Sequence, residues 1–144
     1  MSRRALLDTN ILVAGLSSQL GASFQLLQGA LAERFTMLAS PALWLEYESV
    51  LKRPEIIRIH RLKTSDIDHF LNGLAKKIEP VTSHFLWRPQ LGDPKDEMVL
   101  EAAVNGTADF LVTMNLRDFK PATERFGITL RTPGQFLALL EKSK

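Results

Sequence analysis

The sequence contains no cysteine. That absence removes disulfides, thiolate metal sites and cysteine nucleophiles together. Histidine is scarce: His60, His69 and His84 are scattered, and no two stand at metal-ligand spacing, so a zinc site is not expected. No apolar run approaches the roughly 20 residues that a membrane-spanning helix needs. Met1-Ser2-Arg3-Arg4 leads directly into a strand pattern, without the apolar segment and small-residue cleavage site of a secretory signal. The expectation is a cytoplasmic protein with no membrane attachment. No G-x-G-x-x-G follows the first strand, which argues against a dinucleotide-binding turn. Neither sign of charge is in large excess: 18 Lys and Arg face 16 Asp and Glu, a net charge of +2. That balance permits a nucleic-acid partner without demanding one.

What is present suits a soluble α/β domain. The 144 residues, 45% hydrophobic and 24% charged, are enough for one domain spanning 1–144 with a proper core. Internal repeats, low-complexity tracts and long linkers are lacking. The stretch Arg4-Ala5-Leu6-Leu7-Asp8-Thr9-Asn10 organises the rest. Ala5 to Leu7 reads as a strand buried on both faces, as in the middle of a parallel sheet. Asp8 then falls at the strand's carboxyl end, where open α/β sheets place their ligands. Two readings stand side by side: an acid of a metal site, or a cap (Asp8 or Asn10) for a helix starting near Ile11.

Further along, 22–33 has a helical period and 34–39 reads as a second strand. Ser40-Pro41 opens a helix, Ser40 at N-cap and Pro41 at N1, that stops before Pro54. The order β-α-β-α favours a parallel sheet covered by helices. Glu46 lies at or beside the apolar stripe of that helix, where a carboxylate is costly unless it reaches a rim or is compensated by a cation. The basic stretch 52–63 is either a solvated elbow or a phosphate-contacting rim. Thr64 or Ser65 caps a helix running to about Ile78, and 79–90 is a connecting arm with a possible short edge strand. Asp93-Pro94-Lys95-Asp96-Glu97 opens the next helix, with Asp93 at N-cap and Pro94 at N1. Helping the helix start explains Asp93 and Asp96. It explains Glu97 less well, because Leu100 and Val104 place Glu97 on the apolar side. The strand 109–113 delivers Thr113 and Asn115 to its carboxyl end, with Asp118 shortly after. A short strand, 128–130, and a helix capped by Thr132 complete the chain.

If the first strand and the 109–113 strand are neighbours, Asp8, Thr113, Asn115 and the 93–97 acids converge, and Glu46 can join them. Oxygen ligands without His or Cys suit Mg²⁺ or Mn²⁺. Such an ion suits phosphodiester hydrolysis.

On four stretches the chain resembles the PIN-domain family, in particular the VapC-like toxin components of toxin–antitoxin systems. They are L-L-D-T-N-I-L-V at 6–13, S-P-A-L-W-L-E-Y at 40–47, D-P-K-D-E-M-V-L-E-A-A at 93–103 and A-D-F-L-V-T-M-N-L-R-D-F at 108–119. Each is weak alone; four in order form a specific signal. The resemblance implies a three-layer α/β/α sandwich around a central, mainly parallel sheet, and a Mg²⁺- or Mn²⁺-dependent endoribonuclease. Asp8 matches the family's first acid and Glu46 its second. The third falls in Asp96-Glu97, with Glu97 the favoured alignment, and Asp93 is an outer acid. Asn115 stands where many relatives have Asp, with Asp118 placed to compensate. In this reading Asp8, Glu46, Asp96 and Glu97 hold the metal, with Asn115 and Asp118 as further ligands; Thr9, Asn10, Asp93 and Thr113 orient carboxylates and waters, while Arg53, Arg58, Arg61 and Arg117 hold the RNA backbone. A cognate antitoxin and a homodimer are expected partners.

The alternative within the family is a catalytically weak or silent module that binds RNA or a protein, supported by Asn115. A phosphohydrolase with an aspartyl nucleophile at Asp8 is disfavoured. Its leaving-group acid, usually an Asp two residues on, is here Asn10.

Overall fold

The computed structural model describes residues 3–82 and 91–142. Its centre is a five-stranded, all-parallel sheet in the order β3-β2-β1-β4-β5. The strands are β1 (Arg4–Leu7), β2 (Thr36–Ala39), β3 (Glu79–Pro80), β4 (Phe110–Val112) and β5 (Thr129–Arg131). β1 lies in the middle because Ala5, Leu6 and Leu7 carry no polar group on either face, and all three are fully buried. β3 is two residues long and ends on Pro80, which lacks the N–H a central strand needs, so it sits at the edge. The rest of the expected connecting arm, 83–90, lies outside the described residues, as does His84.

Among the described residues eight helices cover the sheet: α1 (Thr9–Ser17), α2 (Ala22–Leu31), α3 (Pro41–Leu51), α4 (Pro54–His60), α5 (Thr64–Ala75), α6 (Pro94–Asn105), α7 (Leu116–Phe126) and α8 (Pro133–Lys142). The chain steps from β1 to β2 in one direction and from β3 to β4 in the other. Right-handed crossovers therefore carry α1 and α2 to one face and α6 to the opposite one. α1 and α8 pack on α2, and α6 packs on α7. The result is the α/β/α sandwich expected. Phe136 of α8 closes one side of the core, edge-on to Phe35 and tilted against Phe110, with ring centroids 5.2 Å away in both cases.

Local chemistry sets the helix starts. Ser40 Oγ accepts from the Leu43 N–H at 3.1 Å, with Pro41 in the first turn of α3. Asp93 Oδ1 accepts from the Lys95 N–H at 2.9 Å at the head of α6. Thr132 and Gln135 cap α8 reciprocally, at 3.2 and 2.9 Å. The cap of α5 corrects the expectation: Lys63, not Thr64 or Ser65, is the N-cap residue, and Asp66 reaches back to its N–H at 3.1 Å. α5 also ends at Ala75, short of Ile78. α7 was not expected at all. It buries Phe119, Ala122 and Thr123 and ends at Gly127, whose φ of 69° is a conformation glycine adopts without a Cβ penalty.

Candidate active site

The sheet order places a topological switch point between β1 and β4, since the chain moves to opposite sides from these two strands. Leu7 is paired with Val112, so Asp8 and Thr113 leave the sheet side by side. The Asp8 N–H donates to the Val112 carbonyl at 2.9 Å, extending the ladder by one bond. The carboxylate is then held from both sides. Thr9 N–H donates to Oδ1 at 2.8 Å, and Thr113 Oγ1–H donates to Oδ2 at 2.7 Å. Asn115 N–H donates to Thr113 Oγ1 at 3.0 Å, which fills an acceptor position of the hydroxyl and leaves its proton for Asp8. Asp8 is also the N-cap residue of α1, so the capping reading and the site reading describe one geometry. Beneath it, the buried Tyr47 hydroxyl donates to the Leu7 carbonyl and pins α3 to the end of β1. Burial, and after it the charge of Asp8, hold the Tyr47 hydroxyl well above the ordinary phenol range.

A cleft of about 540 Å³ opens above this point. Asp8, Thr9 and Asn10 line it from the β1–α1 junction, Glu46 from α3, Asp93 and Asp96 from the head of α6, and Asn115 from the turn after β4. Burial raises the pKa of Asp8, its two hydrogen bonds lower it, and the charge of Asp118 adds an upward push. Asp96 is pushed up to about 6, first by desolvation and then by the charges of Asp8, Asp93, Asp118 and Glu97.

Not every expected residue faces the cleft. Glu97, the favoured third acid, is 3% exposed and accepts a hydrogen bond from the Leu91 N–H; Asp96 is the member of that pair that lines the cleft. Asp118 is exposed in the first turn of α7 and acts on the cleft through its charge. Of the four arginines, Arg53 lines the cleft; Arg58, Arg61 and Arg117 are exposed outside its lining. The lining also includes residues to which the sequence reading gave no site role, among them Lys95, which sits within the acidic motif itself, and Ile59 and Met114, which stay 56% and 46% exposed on the cleft wall.

The donor chemistry fits a hard divalent cation. The cleft supplies carboxylate, amide and hydroxyl oxygens and is lined by no cysteine or histidine among the described residues. The neighbouring carboxylates raise the pKa of Asp96, a cost that a cation relieves. Asn10 Oδ1 is buried without a hydrogen-bond partner among the described residues, an acceptor in want of a donor or a cation. Among those residues no three Asp, Glu or His side chains gather tightly enough to hold an ion unaided. A shell completed by water suits Mg²⁺, which gives up its hydration reluctantly.

The PIN domain family profile matches residues 4–117. No curated protein sequence matches the chain. Among solved structures, the crystal structure of VapBC2 from Rickettsia felis bound to a DNA fragment from their promoter matches with a TM-score of 0.60 at 17% identity. The match covers 90% of this chain and 98% of that one. At such identity the likeness concerns the fold. Among the described residues no helix is long and apolar enough to cross a membrane.

Proposed function

Because the chain belongs to the PIN domain family, we propose that it is a divalent-metal-dependent endoribonuclease and the toxin of a toxin–antitoxin pair. The observation that carries the proposal is the acid cleft at the β1/β4 switch point. There a buried, doubly hydrogen-bonded Asp8 shares one cavity with Glu46, Asp93 and Asp96. Asp8, Glu46 and Asp96 would hold Mg²⁺ or Mn²⁺, with Asp93, Asn115 and Asp118 supporting them from further out. Such an ion supplies positive charge at a phosphodiester and acidifies water bound to it.

The chain's own residues do the rest. Thr113 and Thr9 fix the Asp8 carboxylate so that its orientation costs nothing at the moment of binding. Without a cation Asp96 is held at a pKa of about 6 by desolvation and by the acids around it, so it is a carboxylate whose charge a bound cation would relieve. Arg53 and Lys95 line the cleft and place positive charge where the anionic backbone of RNA enters. The partners proposed are the RNA substrate, a cognate antitoxin and a second copy of the chain. The VapBC2 structure, by its description bound to a DNA fragment from their promoter, shares this fold and supports the antitoxin as a partner.

A second reading, a silent module that binds RNA or protein, draws on Asn115, a neutral amide at the cleft. Cleavage of a mixed RNA pool with Mn²⁺, with Mg²⁺ and with EDTA, beside Asp8→Asn, separates the two. Cutting that needs both the metal and Asp8 supports the nuclease. A folded, inhibitor-free protein that binds no Mn²⁺ and cuts nothing supports the silent module.

A further inference from the structure

Glu46 is not alone in the cleft. Arg53 stands seven residues on, at the N-cap position of α4, and its Nη2 lies 3.9 Å from Glu46 Oε1. That is ion-pair distance, beyond hydrogen-bond length. The protein builds a tighter pair elsewhere: Arg4 grips Glu79 with both terminal nitrogens, Nη1 at 3.0 Å, and also donates to the Gly106 carbonyl at 2.7 Å. The Arg4 pair ties β1, β3 and the end of α6 together through hydrogen bonds. The Arg53 pair is a loose one by its 3.9 Å separation, with the Glu46 side chain 18% exposed and that of Arg53 37% exposed. Both line the acid cavity.

Resting on the nuclease reading, we propose that Arg53 is the resident counter-ion of Glu46, displaced when a divalent cation enters the cleft and thereby released to hold a backbone phosphate of the substrate. The argument is electrostatic. In the metal-free cleft the acids attract the guanidinium, and Glu46 is where it rests. A doubly charged ion neutralises those acids and repels a guanidinium held beside the same carboxylate. Arg53 is long and half solvated, so it can leave without disturbing the core. The strongest anion then arriving is a phosphodiester, which a guanidinium grips through two parallel N–H bonds. Metal and phosphate are thus coupled through one side chain, and the coupling is reciprocal. Arg53 is in this sense a positioning residue.

The test begins with Mn²⁺ titrations, by calorimetry, of RNA-free wild type, Arg53→Met and Lys95→Met. Methionine keeps the stem's packing without the charge, and melting curves confirm that each variant folds. Arg53→Met should bind Mn²⁺ about two- to fivefold more tightly, the worth of a loose, partly exposed pair. Lys95→Met, which removes a charge from the same cleft, should gain less. The second step is fluorescence anisotropy of a labelled oligoribonucleotide, with Ca²⁺ replacing Mn²⁺ so that the probe stays intact. Ca²⁺ should tighten RNA binding to wild type, and the gain should be at least about threefold smaller in Arg53→Met. Unchanged or weaker Mn²⁺ affinity in Arg53→Met overturns the proposal, as does an equal gain in Lys95→Met, which would reduce the effect to net charge. An undiminished Ca²⁺ gain in Arg53→Met overturns the transfer to phosphate. A wild type that binds no Mn²⁺ overturns the metal reading and the proposal with it.

Discussion

Replacing Asp96 by Asn should stabilise the metal-free protein at neutral pH, although it removes a residue proposed to hold the metal. The reason is the crowding of acids around it. Asp96 has a pKa of about 6, raised above 3.8 by desolvation and by Asp8, Asp93, Asp118 and Glu97. Between those two values the folded protein keeps a proton that the unfolded chain has released. Stability therefore falls as pH rises across that window, and the loss is complete above about pH 6. Unscreened, the displacement corresponds to about 3 kcal/mol. Asp96 is half-buried, so solvent screening reduces this to about 1 kcal/mol. For a chain of this length that is a melting shift of about 2–4 °C.

The assay is thermal unfolding in EDTA from pH 4.5 to 8, wild type beside Asp96→Asn. The variant should melt about 2–4 °C higher at pH 7.5, and the difference should shrink below pH 5. Asp8 titrates in the same sense and Glu79, held low by Arg4, in the opposite one; the difference between the proteins removes most of both. Saturating Mn²⁺ should reverse the order, because a ligand at 100 times its Kd adds about 2.7 kcal/mol to the protein that binds it. A variant that melts below wild type in EDTA at pH 7.5, or a difference that persists unchanged at pH 4.5, refutes the reasoning.

Three further outcomes follow from the same geometry. Thr113→Val strips a buried carboxylate oxygen of its donor, so it should cost about 1–3 kcal/mol by denaturant unfolding and lower RNA cleavage more than Thr113→Ser does. Gly15→Ala should cost about 1–3 kcal/mol in the same assay. A Cβ there would lie 2.5 Å from Leu27 Cδ1 and 3.1 Å from the Ser23 carbonyl, forcing α1 off α2 and moving Asn10 with it. Asn115→Asp adds a charge to a cleft that already repels its own acids. It should lower the melting temperature in EDTA and raise Mn²⁺ affinity by calorimetry; a fall in that affinity would separate Asn115 from the metal.

The residues at strand ends were legible because a strand fixes position to within one residue. Once Ala5 to Leu7 and Phe110 to Val112 are read as buried strands, Asp8 and Thr113 must leave the sheet at its carboxyl edge, and only their adjacency was left to the structure. Acids on a helix are less determined. Asp96 and Glu97 are one residue apart on α6, and apolar partners at i+3 and i+4 can be counted for either. The pattern tied the core-facing position to the site, whereas the structure buries Glu97 against the Leu91 N–H and leaves Asp96 to the cleft. That backbone donor belongs to the chain before the helix and leaves no trace in the periodicity. α7 was hidden differently. Leu116, Phe119 and Phe126 carry a helical period, but Pro121 lies inside it and reads as a breaker. Here α7 tolerates the proline and still holds Asp118 in its first turn, close enough for its charge to reach Asp8 and Asp96. The arginines were the least determined, because an exposed cation has no hydrophobic face to fix its direction. Arg53 differs from Arg58 and Arg61 only in standing where α3 gives way to α4, two helical turns beyond Glu46, and a carboxylate already at the cleft is what selects it. In this protein the sheet positions the first acid, helix packing positions the others, and the acids position the cation.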